Sequence, residues 1–355
     1  MSKQLNWNSY IKFYLFGFLI SMLLIIFPVI SNAEENSLNF YVTPIYPDSQ
    51  VDETKGYFDL NLKKGDQEVL ALTLQNATNQ EIQIEITAHT AYTNVQGVVE
   101  YGKDDEVTDT TLSYSLNELV TTPEVITLKG NETQTIEAIL NMPNESFEGI
   151  LAGGLKIREI PKESETDTKT SEGLSITNEF SYVIGVVVSN ERSTVIPNLE
   201  LLDVFADQLN YRNVISATIQ NFMPTFVNRL SVEATVHKKG DDTLLYEASQ
   251  EQMQMAPNSH FDFPISLNGD RFNSGTYILN LTAHSGDETW TWTKEFTIDG
   301  DEARSLNRSD VTIDTSINWW IIGLIGLIIL LLVCCIYLFW QKNRMYKANI
   351  NKREK

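Results

Sequence analysis

Four histidines, His89, His237, His260 and His284, are the only imidazoles in this 355-residue chain. None stands in an HExxH run or in a tight pair. Both cysteines, Cys334 and Cys335, lie in a long apolar segment near the C-terminus, so the polar bulk of the chain has no thiolate nucleophile and no soft metal ligand. A glycine-rich phosphate loop, a Gly-x-Ser-x-Gly elbow and a Ser-x-x-Lys set are all missing. Carboxylates are abundant enough to leave a glycosidase-like pair open on sequence grounds, but no spacing singles one out. The chain reads as a non-enzyme that needs no cofactor and no metal. Acidic clusters at Asp48 to Glu53, at Asp104 to Glu106 with Asp109, and at Asp299 to Glu302 invite a calcium reading. None has the ligand order of a helix–loop–helix site, and solvated acidic loops explain them better.

Recognition chemistry remains. Asn39, Tyr41, Tyr46, Asp48 and Tyr92 lie in or beside turn-like sequence, where rings, amides and carboxylates can hold a sugar; packing or solvation is the competing reading for each. Trp290 and Trp292 look like a stacking pair. Yet they share parity with Phe296 and Ile298, while Thr289, Thr291, Thr293 and Glu295 form the other face. Alternation therefore turns both tryptophans toward a core.

The elements that must carry these residues read as β-strands. Phe58, Leu60 and Leu62 alternate with polar residues, Lys63 to Asp66 turn the chain, and Leu70, Leu72 and Leu74 resume the period before Ile82, Ile84 and Ile86. Period two with one apolar face is a half-buried strand, and many such strands between short turns argue for sandwiches. Gly149, Gly153 and Gly154 interrupt one apolar run and mark a bulge, a bend or close backbone approach. The most apolar run outside the termini, Phe180 to Val188, is assigned to a central strand. Pro161 to Gly173 reads as an exposed loop, and Gly275 to Ile298 as a hairpin. The expected fold class is all-β: two immunoglobulin-like β-sandwich modules, residues 34–190 and 191–300, followed by a polar stalk over 301–316 and one transmembrane helix.

Both ends support export. Residues 1–33 have the layout of a signal peptide, with Lys3 and Lys12 before an apolar run and Ser31-Asn32-Ala33 at its close. From Thr315 to Gln341 there is no charged side chain, and residues 317–340 are long enough to cross a hydrocarbon core of about 30 Å. Trp319 and Trp320 at one end, and Tyr337 and Trp340 at the other, suit the headgroup zones. Lys342, Arg344 and Lys347 in the tail (341–355) set that end inside. The expected localisation is the cell membrane, single-pass, with the N-terminal region outside and within the wall.

Formal net charge is -21. Without the leader and the tail, 18 basic residues face 46 acidic ones, a balance of -28 on the exported part. That field disfavours nucleic acid and keeps the region soluble. With no cysteine outside the apolar segment, ordinary cores and not disulfides must stabilise it.

The phrases Phe40 to Gln50 (FYVTPIYPDSQ), Gly56 to Gln67 (GYFDLNLKKGDQ), Asn76 to Tyr101, Ser146 to Ile157 (SFEGILAGGLKI) and Asn221 to Val236 resemble the WxL-interacting protein family of Gram-positive bacteria. So do the Gly275 to Ile298 hairpin and the order of leader, two modules, apolar helix and basic tail. The resemblance implies an N-terminal module that binds peptidoglycan and a C-terminal module that holds WxL-domain surface proteins, with the lipid bilayer engaged by the C-terminal helix. An adhesin for host surface proteins and a structural spacer are the alternatives.

Overall fold

Alternation, more than composition, decides where this chain becomes sheet. The computed structural model describes residues 38–103, 108–161, 180–313 and 319–353. The leader, Asp104 to Glu106 and nearly all of the Pro161–Gly173 loop lie outside the described residues. The first part runs β1 (Phe40–Ile45), β2 (Phe58–Asn61), β3 (Gln67–Asn76), β4 (Ile82–Thr90), β5 (Tyr92–Thr93) and β6 (Val99–Glu100). It continues through α1 (Leu116–Leu119), β7 (Val120–Thr121), β8 (Ile126–Leu128), β9 (Thr133–Asn141), β10 (Leu151–Glu159) and β11 (Ser181–Ser189). Two sheets, ordered β1-β3-β9-β7 and β2-β11-β10-β4-β8, face each other. Leu70, Leu72 and Leu74 from one, and Ile82, Ile84 and Ile86 from the other, are buried in a shared core with Phe58, Leu60 and Leu155. Each such side chain contributes about 1.5–3 kcal/mol by leaving water.

The apolar run Phe180 to Val188 forms β11 from Ser181 onward, and it is central, held between β10 (antiparallel) and β2 (parallel). Gly153 shows why its strand is interrupted. A Cβ there would stand 2.2 Å from the carbonyl of His89 and 2.5 Å from Leu116, so only glycine lets α1 pack across β10.

The second part is β12 (Leu199–Leu209), β13 (Arg212–Asn221), β14 (Val227–Lys238), β15 (Leu244–Met255), β16 (Ser259–Ser266), β17 (Gly275–Ser285) and β18 (Glu288–Ile298). Sheets β12-β13-β16 and β15-β14-β17-β18 enclose a separate core that includes Ile219, Val232, Phe263, Leu279 and Leu281. The β17–β18 hairpin turns at Gly286, whose φ of 61° suits a tight turn. Trp290 and Trp292 lie on its inward parity, half-buried against that core, and the Trp290 indole N–H donates to Asn198 Oδ1 at 2.9 Å.

Of the segment read as a polar stalk, residues 301–313 are structured instead, and 314–316 lie outside the described residues. Asp299 and Glu302 form a capping box on α2 (Gly300–Ser309), and α2 lies on the second core through buried Ala303 and half-buried Leu306. Asn307 brackets Phe272, accepting from its N–H at 2.8 Å and donating to its carbonyl at 2.9 Å. Asp310, buried, accepts from the Asn213 N–H at 2.7 Å and the Thr312 N–H at 2.7 Å. Capping and these hydrogen bonds outweigh the polarity that made the segment look solvated. The second module therefore runs through Ile313.

A third helix, α3 (Trp319–Arg353), covers the apolar segment and continues through the basic tail. Met, Lys, Arg, Ala and Gln after Trp340 are good helix formers, and no glycine or proline stops them. Trp320, Tyr337 and Trp340 are exposed on it, as are the aliphatic side chains from Ile322 to Ile336. Among the described residues no helix is long and apolar enough to cross a membrane.

The integration of α2 is testable through Asp310. Burial opposes its ionisation, but hydrogen bonds from Thr312 and Asn213 outweigh that and hold its carboxyl below the usual range. Asp310→Ala is expected to cost about 1.5–3 kcal/mol in denaturant unfolding of residues 34–313. A free stalk would show no change.

Candidate functional site

The two sandwiches meet along a seam built from the least regular part of the first. After β4 the chain makes the β5–β6 hairpin and then a loop leading to α1. The hairpin turns where Asn94 Oδ1 accepts from the N–H groups of Gln96 and Val98, at 2.9 and 3.0 Å. Gly97 there has φ of 66°, and a Cβ would stand 2.5 Å from the Met253 sulfur of the second module. Both facts require glycine. Around this turn the Gln254 N–H donates to the Gly97 carbonyl at 2.7 Å, and Gln250 Nε2 donates to the Gln96 carbonyl at 2.8 Å. Thr93 Oγ1 lies 2.7 Å from Ser259 Oγ and accepts from the Ala256 N–H at 3.0 Å. Beneath lies a mixed apolar cluster: Ala91, Val99, Ala152 and Val187 from one module, Ala256 and Phe226 from the other.

Asp109 closes the seam. Its carboxylate, 2% exposed, accepts from Gln220 Nε2 through both oxygens at 2.9 Å. Thr111 donates to Oδ1 from its N–H at 2.8 Å and its hydroxyl at 2.7 Å. His260 Nδ1 lies 2.7 Å from Oδ2; the carboxylate can only accept, so Nδ1 carries the proton. Gln220 and His260 are direct cross-strand partners on β13 and β16, which is how the second module presents two donors side by side. Burial pushes the Asp109 carboxyl up, but the hydrogen bonds from Gln220, Thr111 and His260 outweigh this and hold it below the usual carboxylate range. One member of the acidic cluster read as solvated is thus buried and fully engaged.

The seam does not close completely. It leaves a cleft of about 420 Å³ whose walls include His89, Tyr92, Lys103 and Asn117 from the first module and Asn258 and His260 from the second. Past Tyr92 and Lys103 a second concavity of about 680 Å³ continues to Tyr101 and Lys156. Asn258, with φ of 47°, donates its amide NH₂ to the Thr111 and Phe222 carbonyls at 3.1 and 3.0 Å. Asn117 Oδ1 accepts from Thr90 Oγ1 at 3.1 Å. The Lys103 ammonium sits 5.2 Å from the Tyr92 ring centroid, and the Tyr92 hydroxyl donates to Glu100.

The sequence candidates do not converge. Asn39, exposed, donates to Glu159 at 2.8 Å. Tyr41 projects from edge strand β1, 47% exposed. Tyr46 packs edge-on against Phe58 with centroids 5.5 Å apart, and burial pushes its phenol up. Asp48 is exposed in the turn after β1. Tyr92 alone of the five lines the cleft. Sequence reasoning gave Asn117 and Asn258 no role and counted His260 only as one of four unpaired histidines.

A family model described as WxL Interacting Protein, peptidoglycan binding domain, matches residues 40–159. A second, described as WxL Interacting Protein, host binding domain, matches residues 171–308. The second match takes in β11, although β11 is a central strand of the first sandwich. No curated protein matches the chain. Among solved structures it is similar to the E. coli chaperone DraB at 11% identity, covering 73% of this chain and 95% of that one, with a TM-score of 0.28. The Pseudomonas aeruginosa CupB2 chaperone is similar at 12% identity, 67% and 97% coverage, and a TM-score of 0.27. A PapD-like domain of human CEP192 is similar at 10% identity, 47% and 96% coverage, and a TM-score of 0.27.

Asp109 gives the seam a pH signature. Its folded-state carboxyl is depressed, so its contribution is present above the unfolded value of about 3.9 and lost as pH falls through the folded one. At neutral pH Asp109→Asn is expected to destabilise residues 34–313 by about 1.5–3 kcal/mol. Denaturant titrations at falling pH should show that gap closing below about pH 4. A gap independent of pH would contradict the assignment.

Proposed function

This chain belongs to the WxL-interacting protein family, and from that membership we propose that it is a non-catalytic cell-surface protein linking peptidoglycan to WxL-domain proteins. The first sandwich takes the wall polymer and the second takes the protein partner. The observation that carries this reading is the order of the two family matches, 40–159 and then 171–308, on two sandwiches with separate cores. The second match, to a host binding domain, favours one further reading, in which its occupant is a host protein and the chain acts as an adhesin.

In this proposal α3 is the membrane anchor. Its uncharged part, Trp319 to Trp340, has aromatic residues at both ends and a basic continuation, a pattern that supports a span with the tail inside. Residues 314–318 can extend about 20 Å at most between Ile313 and Trp319. The second module would then sit close to the membrane, with the wall polymer reached by the first.

Because β11 serves the first sandwich and the seam is buried, the test uses the whole chain in detergent and not separate modules. The purified protein is offered peptidoglycan sacculi, a WxL-domain protein from the same genome, and host matrix proteins. The linking role requires sacculi to carry the WxL protein down only when this chain is present. Retention of sacculi and a host protein, without the WxL protein, would replace it by the adhesin reading. Failure to bind sacculi would end both.

A further inference from the structure

We infer that the cleft between the two sandwiches is the glycan site, and that it takes an N-acylated amino-sugar unit bearing a carboxylate, with His260 and Asn258 of the second module completing it. The inference rests on the proposed wall-binding reading and gives that reading a location, one not confined to the first module.

Size and lining argue first. At about 420 Å³ the cleft accommodates a disaccharide-sized ligand, and such sites commonly span about 300–1,000 Å³. Its walls are mostly polar side chains and a ring, with Ala88, Ala91 and Leu112 as the aliphatic part. The hydrogen-bonding groups are already sorted into donors and acceptors. Asn258 spends its NH₂ on Thr111 and Phe222, which leaves its carbonyl oxygen as the acceptor. His260 gives its Nδ1 proton to Asp109, which leaves Nε2 as an acceptor fixed in one tautomer. Asn117 uses its carbonyl oxygen on Thr90, which leaves its NH₂ as a donor. An N-acyl sugar presents hydroxyl and amide N–H donors to such acceptors, and an acyl oxygen to such a donor. The Tyr92 ring forms part of the wall, as rings that pack against sugars do.

Charge argues second. The exported part carries -28, and a polyanion has no general reason to approach it. Here, however, Lys103 and Lys156 border one continuous concavity with Tyr92 and Tyr101. Both lysines also have contacts within the protein, so a ligand carboxylate meets ammonium groups that are already partnered. Two carboxylates line the same walls, Asp109 in the cleft and Glu100 in the concavity beyond it, and both are engaged by donors: Gln220, Thr111 and His260 on the first, Tyr92 and Asn94 on the second. An acidic sugar therefore meets two lysines here, in a chain whose net charge otherwise opposes it.

The experiment uses residues 34–313 and, as probe, a soluble disaccharide-tetrapeptide released from peptidoglycan by a muramidase. Lys103→Glu and Asn117→Ala replace exposed residues, so both should fold, with melting temperatures near the wild type. Each is expected to weaken calorimetric binding at least tenfold. Bound fragment is also expected to slow diethyl pyrocarbonate modification of His260 severalfold, while His284, outside the cleft, is unchanged. Wild-type binding that survives both substitutions overturns the site and leaves the wall-binding reading intact. Loss in Tyr41→Ala, with the cleft variants unaffected, moves the site to β1 and overturns it as well. Loss in the cleft variants without protection of His260 confines the site to the first module and overturns the two-module claim. Absence of wild-type binding to fragment and sacculi alike removes the reading and the site together.

Discussion

A buried carboxylate sets the arrangement of this molecule. Asp109 leaves the first sandwich on a loop and is desolvated against the second, a step that costs several kcal/mol unless each lone pair finds a donor. Gln220, Thr111 and His260 supply those donors. Because Gln220 and His260 stand opposite each other on β13 and β16, the carboxylate fits in one register only. The Thr93–Ser259 contact and the Gly97 turn against Met253 fix the same relation from the side. Apolar residues in the seam are small, three alanines and two valines among the five buried members. Area burial alone is modest there, and directional polar contacts specify the pose.

That pose has consequences for what the two sandwiches can do together. The family description divides the chain near residue 171, yet β11, beyond that point, is hydrogen-bonded between β2 and β10 of the first sandwich. Module and fold boundaries therefore differ, and neither sandwich can be removed at the family boundary without exposing a core. The seam leaves an open cleft because its contacts come from loops and a hairpin, which touch at points and leave spaces between. A polar cleft at a module junction is a common place for a ligand. Here its two walls come from segments assigned to different binding roles.

Much of the architecture is legible in the sequence because period-two alternation reports burial directly. Leu70, Leu72, Leu74, Ile82, Ile84 and Ile86 all point where the pattern says, and the parity of Trp290 and Trp292 places both against the core. The C-terminal side of the second module was less legible. Asp299-Gly300-Asp301-Glu302 carries the capping-box spacing of a helix start, but three carboxylates in four positions suggested solvent. Least legible was the seam. Asp109 and its partners lie 111 and 151 residues apart in sequence, so no local period connects them. An isolated aspartate in an acidic run looks the same whether it is solvated or buried. Tyr92 was found because rings beside turns are conspicuous; Asn117, Asn258 and His260 have no such flag.

The central claim is that the seam holds both sandwiches as one body with the cleft between them. The chain has no cysteine outside α3, so residues 34–313 accept two spin labels cleanly, at exposed Thr43 on β1 and exposed Thr291 on β18. Pulsed dipolar spectroscopy then reads the distance between the modules. A single narrow distribution at neutral pH, broadened by Asp109→Asn, is the expected result. A broad or multi-peaked distribution in the wild-type protein, unaffected by that substitution, would contradict the account.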